Sequence, residues 1–438
     1  MRDKNNFALL LAKSPLLGKM NSRSAEFLQP VIEAVLRGNF ESALDECFLI
    51  AEDEVPINHL ESFFVLAIYI CKETGYSEEE LFFKIDLHLS KEKYKGAENP
   101  NLEASYLSSQ YYSTIMNNSI DKRFYEMFKV IKGCGGTKEL AVLINNNFQK
   151  IPTEHKQWLF QYYKWGDVQD LGSPNVWAFR TWVKRAECLY DHGDDILWLY
   201  KKLGDYRSRY ALLAYCLNWF MFDNSLGRVG KISEDIYKEY LDFDVLKFSK
   251  DEVYADCGGY VGDSLADYLA EVGTDSYNKI YIYEIDPLNC DAIEKNITNW
   301  VNKGHIKEGS VVLRRKGVGL NGKLRFTPVA AGSDRSSQAL SKTGTLEVDV
   351  VSLDDDIAEK LTYIKMDIEG AEYDAILGAK RHIAQEYPKL AVCVYHKPHD
   401  IWELPRLIDA IAPDYKFFMR FCGYPLATIG MYLLAVKQ

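Results

Sequence analysis

Three charged residues and a histidine in the last quarter of the chain have the types and spacing of a catalytic group. Lys365, Asp367 and Glu369 alternate along the strand predicted in residues 361–372, so their side chains share one face of it. Three charges cannot lie in an apolar core without partners, which favours the crevice at the carboxyl end of a central strand. His396 ends the next predicted strand, and we expect it beside Asp367. The alternative for Lys365 is a structural pair with an acid.

A glycine-rich turn precedes this group in the chain. Residues 254–264 read Tyr-Ala-Asp-Cys-Gly-Gly-Tyr-Val-Gly-Asp-Ser, which predicts a strand, a tight turn and the start of a helix. Glycine lets the backbone turn sharply and approach a ligand, and the free N–H groups of a helix start attract anionic groups. Tyr260 occupies the place of the middle glycine of a dinucleotide-binding loop, where it would crowd a pyrophosphate. The turn therefore indicates a cofactor without one, and its alternative is an ordinary strand-to-helix loop.

An acid follows the turn at a distance typical of nucleotide-binding folds. The apolar strand predicted over residues 279–283 ends at Glu284, which lies 22 residues after Gly262. A carboxylate about 20 residues after the turn, at the end of the second strand, is placed to accept hydrogen bonds from both ribose hydroxyls. We therefore expect the turn and Glu284 to bind the same nucleoside.

The second half of the chain alternates predicted strands and helices, which indicates a parallel sheet covered by helices. The first 170 residues carry helical stripes instead, with a linker expected over residues 166–175. We predict a helical N-terminal domain that supplies an interaction or acceptor-shaping surface, a helical segment packed on the catalytic domain, and a Rossmann-like domain. Their bounds are 1–170, 171–250 and 251–438. Further strands are predicted over residues 310–314, 389–396, 416–421 and 431–436, and an inserted hairpin over 322–326 and 345–351.

The composition is that of a globular protein in a reducing compartment. Of 438 residues, 47% are hydrophobic and 26% are charged, as in ordinary globular domains. The net charge of −11 opposes nonspecific binding of nucleic acid, which requires a basic surface. Nine scattered cysteines without a Cys-x-x-Cys pair favour free thiols, and the longest apolar runs fall short of the ~20 residues of a membrane span. We expect a cytoplasmic protein that binds no nucleic acid and does not span a membrane.

Five short segments of the second half belong together. They are residues 256–263, 283–287, 351–354, 364–372 and 395–400, and the most specific, 364–372, reads Ile-Lys-Met-Asp-Ile-Glu-Gly-Ala-Glu. Together they resemble the FkbM family of S-adenosylmethionine-dependent methyltransferases, over about residues 176–438. The resemblance implies an α/β fold, the class I methyltransferase Rossmann-like sheet with helices on both faces. It also implies methyl transfer to a hydroxyl of a sugar, a glycan or a small secondary metabolite.

The resemblance further implies roles for the residues singled out above, with S-adenosylmethionine as the cofactor. Asp256 and the turn hold the methionine moiety, Glu284 takes the ribose hydroxyls, and Ile285 packs against the adenine. Asp367, which also touches the cofactor, or His396 accepts the proton of the acceptor. Glu369 is a further candidate for this proton, and Lys365 completes the catalytic group. The turn residues expected at the cofactor are Gly258, Gly259, Tyr260, Gly262, Asp263 and Ser264.

Two other functions are compatible with the same residues. A non-catalytic protein could use the pocket to sense S-adenosylmethionine and regulate a partner, whereas Tyr260 disfavours a dinucleotide-dependent oxidoreductase. Residues 396–400 contain two histidines and an acid without a further ligand set, so we predict no metal. If a metal takes part, Asp367, Glu369 and His396 are its candidate ligands. The expected partners are a hydroxylated small-molecule or glycan acceptor and a second copy of the chain, joined through the helical N-terminal domain.

Overall fold

A computed structural model describes residues 24–52, 60–74, 120–163, 177–223, 237–326, 345–423 and 428–437, together with Leu10 and Leu17. The linker predicted at residues 166–175 lies outside the described residues. The chain divides into two compact units. The first comprises residues 1–193, 206–236 and 424–428, and the second comprises residues 194–205, 237–423 and 429–438.

The bounds of these units differ from those predicted from the sequence. The middle part of the predicted division, residues 171–250, contributes to both units, because residues 206–236 belong to the first and 237–250 to the second. The chain enters and leaves each unit more than once, so spatial grouping does not follow sequence order. As a division by function, the three predicted parts stay a prediction.

The described part of the first unit is helical, as the apolar stripes of the sequence predict. In one of its helices, Ile120–Lys132, the buried residues Phe124, Met127 and Ile131 recur at three- and four-residue spacing, which gives the helix one apolar face. The described helices up to residue 221 are α1 (Gln29–Leu36), α2 (Phe40–Glu52), α3 (Leu60–Thr74), α4 (Ile120–Lys132), α5 (Thr137–Phe148), α6 (Thr153–Tyr163), α7 (Trp177–Ala186), α8 (Gly193–Lys202) and α9 (Tyr206–Met221). A π-helical turn, Glu187–Asp191, follows α7, and α8 belongs to the second unit except for its first residue.

The two longest apolar runs of the sequence, residues 63–71 and 210–222, lie in α3 and along α9. Thirteen of the sixteen residues of α9 are buried, so this helix is covered on nearly all sides, as a core helix is. Across the described ranges, no helix is both long enough and apolar enough to cross a membrane.

The second unit is built on a seven-stranded mixed sheet. The strands of the chain are β1 (Val253–Cys257), β2 (Lys279–Tyr283), β3 (Val311–Arg314), β4 (Gly317–Val318), β5 (Gly322–Phe326), β6 (Leu346–Val351), β7 (Tyr363–Met366), β8 (Lys389–Cys393), β9 (Tyr415–Phe421) and β10 (Met431–Lys437). The large sheet has the order β3-β2-β1-β7-β8-β10-β9, in which β10 is antiparallel to both neighbours and the other pairs are parallel. This is the class I methyltransferase fold, so the predicted fold class is confirmed.

Helices connect the parallel strands, and a small second sheet interrupts the alternation. The helices are α10 (Asp263–Glu271), α11 (Pro287–Asn302), α12 (Leu353–Asp356), α13 (Glu372–Gly378), α14 (Lys380–Glu386) and α15 (Asp400–Ile411). The predicted inserted hairpin is confirmed, because β5 pairs antiparallel with β6. β4 completes this three-stranded sheet by pairing parallel with β6.

Three stacked tyrosine rings fix the centre of the large sheet. Tyr254 on β1 lies 4.7 Å, between ring centroids, from Tyr363 on β7 and 5.1 Å from Tyr268 on α10. All three side chains are buried, and large buried aromatic rings contribute strongly to core stability. The stack thereby holds the strand and the helix that flank the glycine-rich turn against the strand that leads to Asp367.

The end of β7 departs from the sequence prediction. The predicted alternation of Lys365, Asp367 and Glu369 requires an extended chain through residue 369, but β7 ends at Met366. Glu369 has a φ of +57°, in the left-handed region, and the N–H of Ile368 is bonded to the side chain of Glu372 rather than to a strand. The prediction that Glu369 shares a strand face with Lys365 and Asp367 is therefore wrong. Glu369 lies in a turn after β7.

Candidate active site

A cavity of about 230 Å³ opens at the carboxyl ends of β1, β2 and β7. Ligand sites of open α/β sheets lie at this edge. Asp256, Gly259, Gly262 and His396 are not among the residues that line it. The predicted site residues that line it are Gly258, Tyr260, Asp263, Ser264, Glu284, Ile285, Lys365, Asp367 and Glu369.

The glycine-rich turn packs closely against the end of β7. Gly258 has a φ of +90°, and a Cβ at this position would lie 1.9 Å from the carbonyl oxygen of Asp367. The N–H groups of Gly258 and Gly259 both donate to the carbonyl of Tyr283, at 3.0 Å each. Only glycine satisfies both the backbone angle and the close approach, so Gly258 sets the distance between the turn and the end of β7.

Asp256 and Lys365 form a buried ion pair beneath the turn. The Lys365 Nζ lies 3.1 Å from Asp256 Oδ1, and their side chains are 2% and 0% exposed. The same ammonium donates to the carbonyl of Gly258 at 2.6 Å. Burial raises the pKa of Asp256, against the opposing effect of the lysine charge. Burial lowers the pKa of Lys365, but the carboxylates of Asp256 and Asp367 outweigh this and hold it above its ordinary value. Lys365 thus forms a structural ion pair with an acid, which was the alternative to a catalytic role for this residue.

Glu284 lies at the end of β2 and accepts three backbone hydrogen bonds. Its Oε2 accepts from the N–H of Tyr260 at 2.8 Å, and its Oε1 accepts from those of Ile285 at 2.7 Å and Asp286 at 2.8 Å. Burial raises the pKa of this carboxyl group, and the three N–H donors oppose the rise. Since a carboxylate offers about four acceptor positions, Glu284 retains capacity for one ligand hydroxyl while it holds the turn in place.

Asp367 is the polar centre of the cavity wall. Its Oδ2 accepts from the hydroxyl of Tyr240 at 3.1 Å, and its Oδ1 lies 3.3 Å from His396 Nε2. Burial raises the pKa of Asp367, but the positive charges of His396 and Lys365 and the Tyr240 hydroxyl lower it below its ordinary value. Asp367 is therefore a carboxylate at neutral pH.

His396 lies behind this wall, three residues beyond β8. Its Nδ1 is 2.9 Å from Glu372 Oε1, and Glu372 also accepts from the N–H of Ile368 at 2.9 Å. Burial lowers the pKa of His396, but Asp367 and Glu372 raise it well above its ordinary value. The structure thus brings His396 to Asp367, as expected, but it reaches the cavity through Asp367 and Glu369 rather than directly.

Residues 256–426 match the family model of the methyltransferase FkbM domain. This part of the chain is an FkbM methyltransferase domain. The resemblance inferred from the five sequence segments is therefore confirmed. None of the curated proteins is detectably similar to the chain.

Several solved structures are similar to part of this chain at low sequence identity. Methyltransferase FkbM from Methylobacillus flagellatus is 23% identical, with a TM-score of 0.46, over 57% of this chain and 62% of its own. An rRNA methylase from Streptococcus thermophilus is 10% identical, with a TM-score of 0.27, over 44% of this chain and 89% of its own. Spermidine synthase from Thermotoga maritima is 16% identical, with a TM-score of 0.23, over 43% of this chain and 54% of its own.

Three non-glycine residues of the cavity have left-handed backbone angles. Tyr240, Tyr260 and Glu369 have φ values of +64°, +44° and +57°, and all three line the cavity. Such angles are unfavourable for residues with a Cβ and cluster at functional sites. The tyrosine in the place of the middle glycine is thus accommodated by a strained turn.

Sequence reasoning missed residues that the fold brings to the cavity from elsewhere. Glu239 and Tyr240 precede β1 in a segment with no motif, and Lys316 follows β3. Burial, and then the neighbouring charge of Asp367, raise the pKa of Glu239 to about 8. Lys316 had a usable signal, because it follows a parallel strand at its carboxyl end. Glu239 had none.

The lining of the FkbM domain's cavity is predominantly acidic. It contains five carboxyl side chains and two lysines, and the ammonium of Lys365 is already paired with Asp256. An acidic cavity favours a positively charged ligand. The carboxyl side chains are those of Glu239, Asp263, Glu284, Asp367 and Glu369.

Proposed function

We propose that the protein is an S-adenosylmethionine-dependent methyltransferase that acts on a hydroxyl of a sugar, a glycan or a small secondary metabolite. One observation carries the proposal: the turn at Gly258, the acid Glu284 and the carboxylate Asp367 line one acidic cavity at the ends of three adjacent strands. This arrangement suits a cofactor with a ribose, a positively charged sulfonium and an ammonium group. The FkbM domain match supports the same proposal.

The residues present fit this cofactor. Glu284 has an acceptor position left for a ribose hydroxyl, and Ile285 lines the cavity beside it, where it can pack against an adenine. Asp263 and Ser264 stand at the start of α10, whose free N–H groups suit a carboxylate. Asp256 does not line the cavity, so we assign it an indirect role in which it fixes Lys365 and, through Lys365, the carbonyl of Gly258.

When bound, the cofactor supplies an activated methyl group on sulfur. The residues of the cavity would hold this methyl group in line with the acceptor oxygen, and a carboxylate of the lining would take up the hydroxyl proton as the methyl group is transferred. Much of the acceleration in such a displacement comes from alignment, which the rigid turn and Asp367 can enforce.

The proton of the acceptor needs a base near the cavity. His396 already carries a proton at neutral pH, because its pKa is raised, so it acts with Asp367 as one pair. Glu369 lines the cavity beside this pair. Glu239 has a pKa of about 8, and general bases work best when their pKa is close to the working pH. We therefore propose Glu239 as the base, and Asp367, held in place by His396, as the group that accepts a hydrogen bond from the hydroxyl and orients it.

The test is to measure cofactor binding and methyl transfer separately. Calorimetry with S-adenosylmethionine and S-adenosylhomocysteine reports binding, and transfer of a labelled methyl group to a panel of hydroxylated sugars and small metabolites reports activity. We expect binding of both compounds and transfer to at least one acceptor class. Binding without transfer to any acceptor would favour the alternative, a non-catalytic protein that senses the cofactor. No binding would contradict both.

The remaining partners follow from the same proposal. The helical N-terminal residues supply a surface for the acceptor or for a second copy of the chain. A cytoplasmic location accords with the nine cysteines, which are all free thiols. Size-exclusion chromatography with light scattering measures the oligomeric state directly.

A further inference from the structure

Asp367, Glu369 and His396 bring three metal-ligand atoms together in the cavity wall. His396 Nε2 lies 3.3 Å from Asp367 Oδ1 and 3.8 Å from Glu369 Oε2, and the three ligand atoms all lie within 4.8 Å of one another. An N–H···O hydrogen bond is shorter, about 2.7–3.2 Å. Two atoms that share a cation at about 2.1 Å lie roughly 3.0–3.4 Å apart at octahedral or tetrahedral angles. The distance from His396 to Asp367 falls within the range for a shared cation, and the 3.8 Å distance to Glu369 is longer than either range, so a bound cation would draw the Glu369 carboxylate closer by a few tenths of an ångström.

The imidazole of His396 is oriented as metal-bound histidines are. Its side chain is only 7% exposed, and neither ring nitrogen makes a hydrogen bond of acceptable geometry, although both face carboxylates. Nδ1 faces Glu372 at 2.9 Å, and Glu372 is itself fixed by the N–H of Ile368. A carboxylate behind one ring nitrogen directs the other nitrogen towards the metal in known sites. Here the other nitrogen, Nε2, faces Asp367 and Glu369.

We infer that Asp367, Glu369 and His396 bind a divalent cation at the wall of the cavity, and that the cation displaces to solvent the proton that His396 Nε2 carries in its absence. Two carboxylate oxygens and one imidazole nitrogen suit Mn²⁺ or a cation of similar preference. Three protein ligands leave coordination positions open, as in catalytic rather than structural sites, and Asp367 and Glu369 direct these positions into the cavity because both line it. The role of the cation rests on the proposed function: it would hold the acceptor hydroxyl and make its proton easier to remove.

A second group with similar ligands provides a matched comparison. His399, Asp400 and Glu403 also bring ligand atoms within 4.8 Å of one another, with His399 Nε2 at 3.5 Å from Glu403 Oε2 and 4.0 Å from Asp400 Oδ1. The side chain of His399 is 46% exposed, and none of the three residues lines the cavity. His399→Gln therefore makes the same chemical change as His396→Gln, but in a group of residues that lies outside the cavity.

The experiment measures Mn²⁺ binding by electron paramagnetic resonance on the full chain after treatment with a chelator. We expect one tight Mn²⁺ per chain, with electron spin echo modulation from a coordinated imidazole nitrogen. His396→Gln should remove the nitrogen modulation, and both His396→Gln and Glu369→Gln should weaken Mn²⁺ binding at least tenfold, since even residues behind metal ligands contribute about 10–100-fold. Glu369→Gln is the milder change, because its side chain is 28% exposed. His399→Gln should leave affinity and modulation unchanged.

Two results would overturn the inference. One is the absence of bound Mn²⁺ at millimolar concentration in a wild-type chain that circular dichroism shows to be folded, which would leave an ion-paired imidazolium only. The other is nitrogen modulation that survives His396→Gln or disappears in His399→Gln. Calorimetry with S-adenosylmethionine in the presence of chelator keeps the two proposals apart. Cofactor binding without Mn²⁺ binding would refute the cation alone, whereas Mn²⁺ binding without cofactor binding would refute the proposed function alone.

Discussion

Replacing Glu284 by glutamine separates the two tasks that the structure gives to this side chain. The amide oxygen of glutamine can take the place of Oε1 and keep the bonds from Ile285 and Asp286. The amide nitrogen then takes the place of Oε2 and faces the N–H of Tyr260, donor against donor. One of three backbone bonds is lost, and the opposite amide orientation would lose two.

The magnitude follows from this count. A hydrogen bond to a charged group contributes about 1.5–3 kcal/mol, and part of that loss is offset because glutamine removes the burial penalty that raises the pKa of Glu284. We expect Glu284→Gln to lower the free energy of unfolding by about 1–2 kcal/mol. Affinity for S-adenosylmethionine should fall by about 10–100-fold, because the ribose hydroxyl loses a charged acceptor.

Urea unfolding followed by tryptophan fluorescence measures the first quantity, and calorimetry measures the second. Glu294→Gln is the matched control: Glu294 lies on α11 with a side chain 66% exposed, paired with Arg315, and surface pairs of this kind contribute about 0–1 kcal/mol. If Glu284→Gln unfolds at the same urea concentration as the wild type, the hydrogen-bond assignment is wrong. If its affinity for the cofactor matches that of Glu294→Gln, Glu284 does not bind the ribose.

Three further predictions concern the same cavity. Gly258→Ala should destabilise the domain by about 3 kcal/mol or more, because its Cβ would lie 1.9 Å from a carbonyl oxygen; a urea midpoint equal to that of the wild type would contradict this. Asp367→Asn and His396→Ala should lower turnover by about 10²-fold or more and cofactor affinity much less, because the acceptor hydroxyl loses its alignment; single-turnover assays beside calorimetry check this, and near-normal turnover would show that neither residue positions the acceptor. Glu239 keeps its proton to about pH 8 in the folded state, against an ordinary value of 4.5, so the unfolded state binds fewer protons between these values and stability falls as pH rises through them. Glu239→Gln should make the fall in the urea midpoint between about pH 5 and 8 smaller than in the wild type, and an unchanged fall would show that the pKa is not raised.

The sequence could predict the features that depend on residues close together in the chain. Apolar runs gave β1, β2 and β7 because alternating or continuous apolar residues require a buried strand, and the order of strand and helix gave the parallel sheet. Glu284 could be assigned to the end of β2 because it directly follows the apolar run that forms this strand. The lining position of Gly258 follows from the same local reasoning.

The features that sequence could not predict depend on where the chain turns and what meets across space. The predicted strand β7 extends beyond its actual end at Met366. The residues around Glu369 give no indication that its backbone φ angle is left-handed. The sequence around Asp256 is the same whether its side chain faces a ligand or Lys365. Only the pairing of β1 with β7 places Asp256 opposite Lys365. Glu239 lies in a segment without a recognisable motif and reaches the cavity only because that segment packs there. Its raised pKa could therefore not be predicted from the sequence.

The interleaved course of the chain has a consequence for synthesis on the ribosome. Asp195, Lys202 and Asp205 belong to the second unit, and their partners Arg406, Asp409 and Arg420 follow 211, 207 and 215 residues later. At about 5–20 residues per second, this segment waits on the order of 10–40 s for the side chains that fix it.

The first unit also waits for the end of the chain. Within that unit the indole of Trp219 donates to the hydroxyl of Thr428 at 3.2 Å, 209 residues apart, while the second unit needs β10, which ends at Lys437. The sheet of the second unit therefore cannot be completed before β10 leaves the ribosome. A nascent chain arrested before residue 428 therefore lacks β10 in the second unit and the Thr428 partner of Trp219 in the first, and unpaired strand edges of this kind are prone to aggregation.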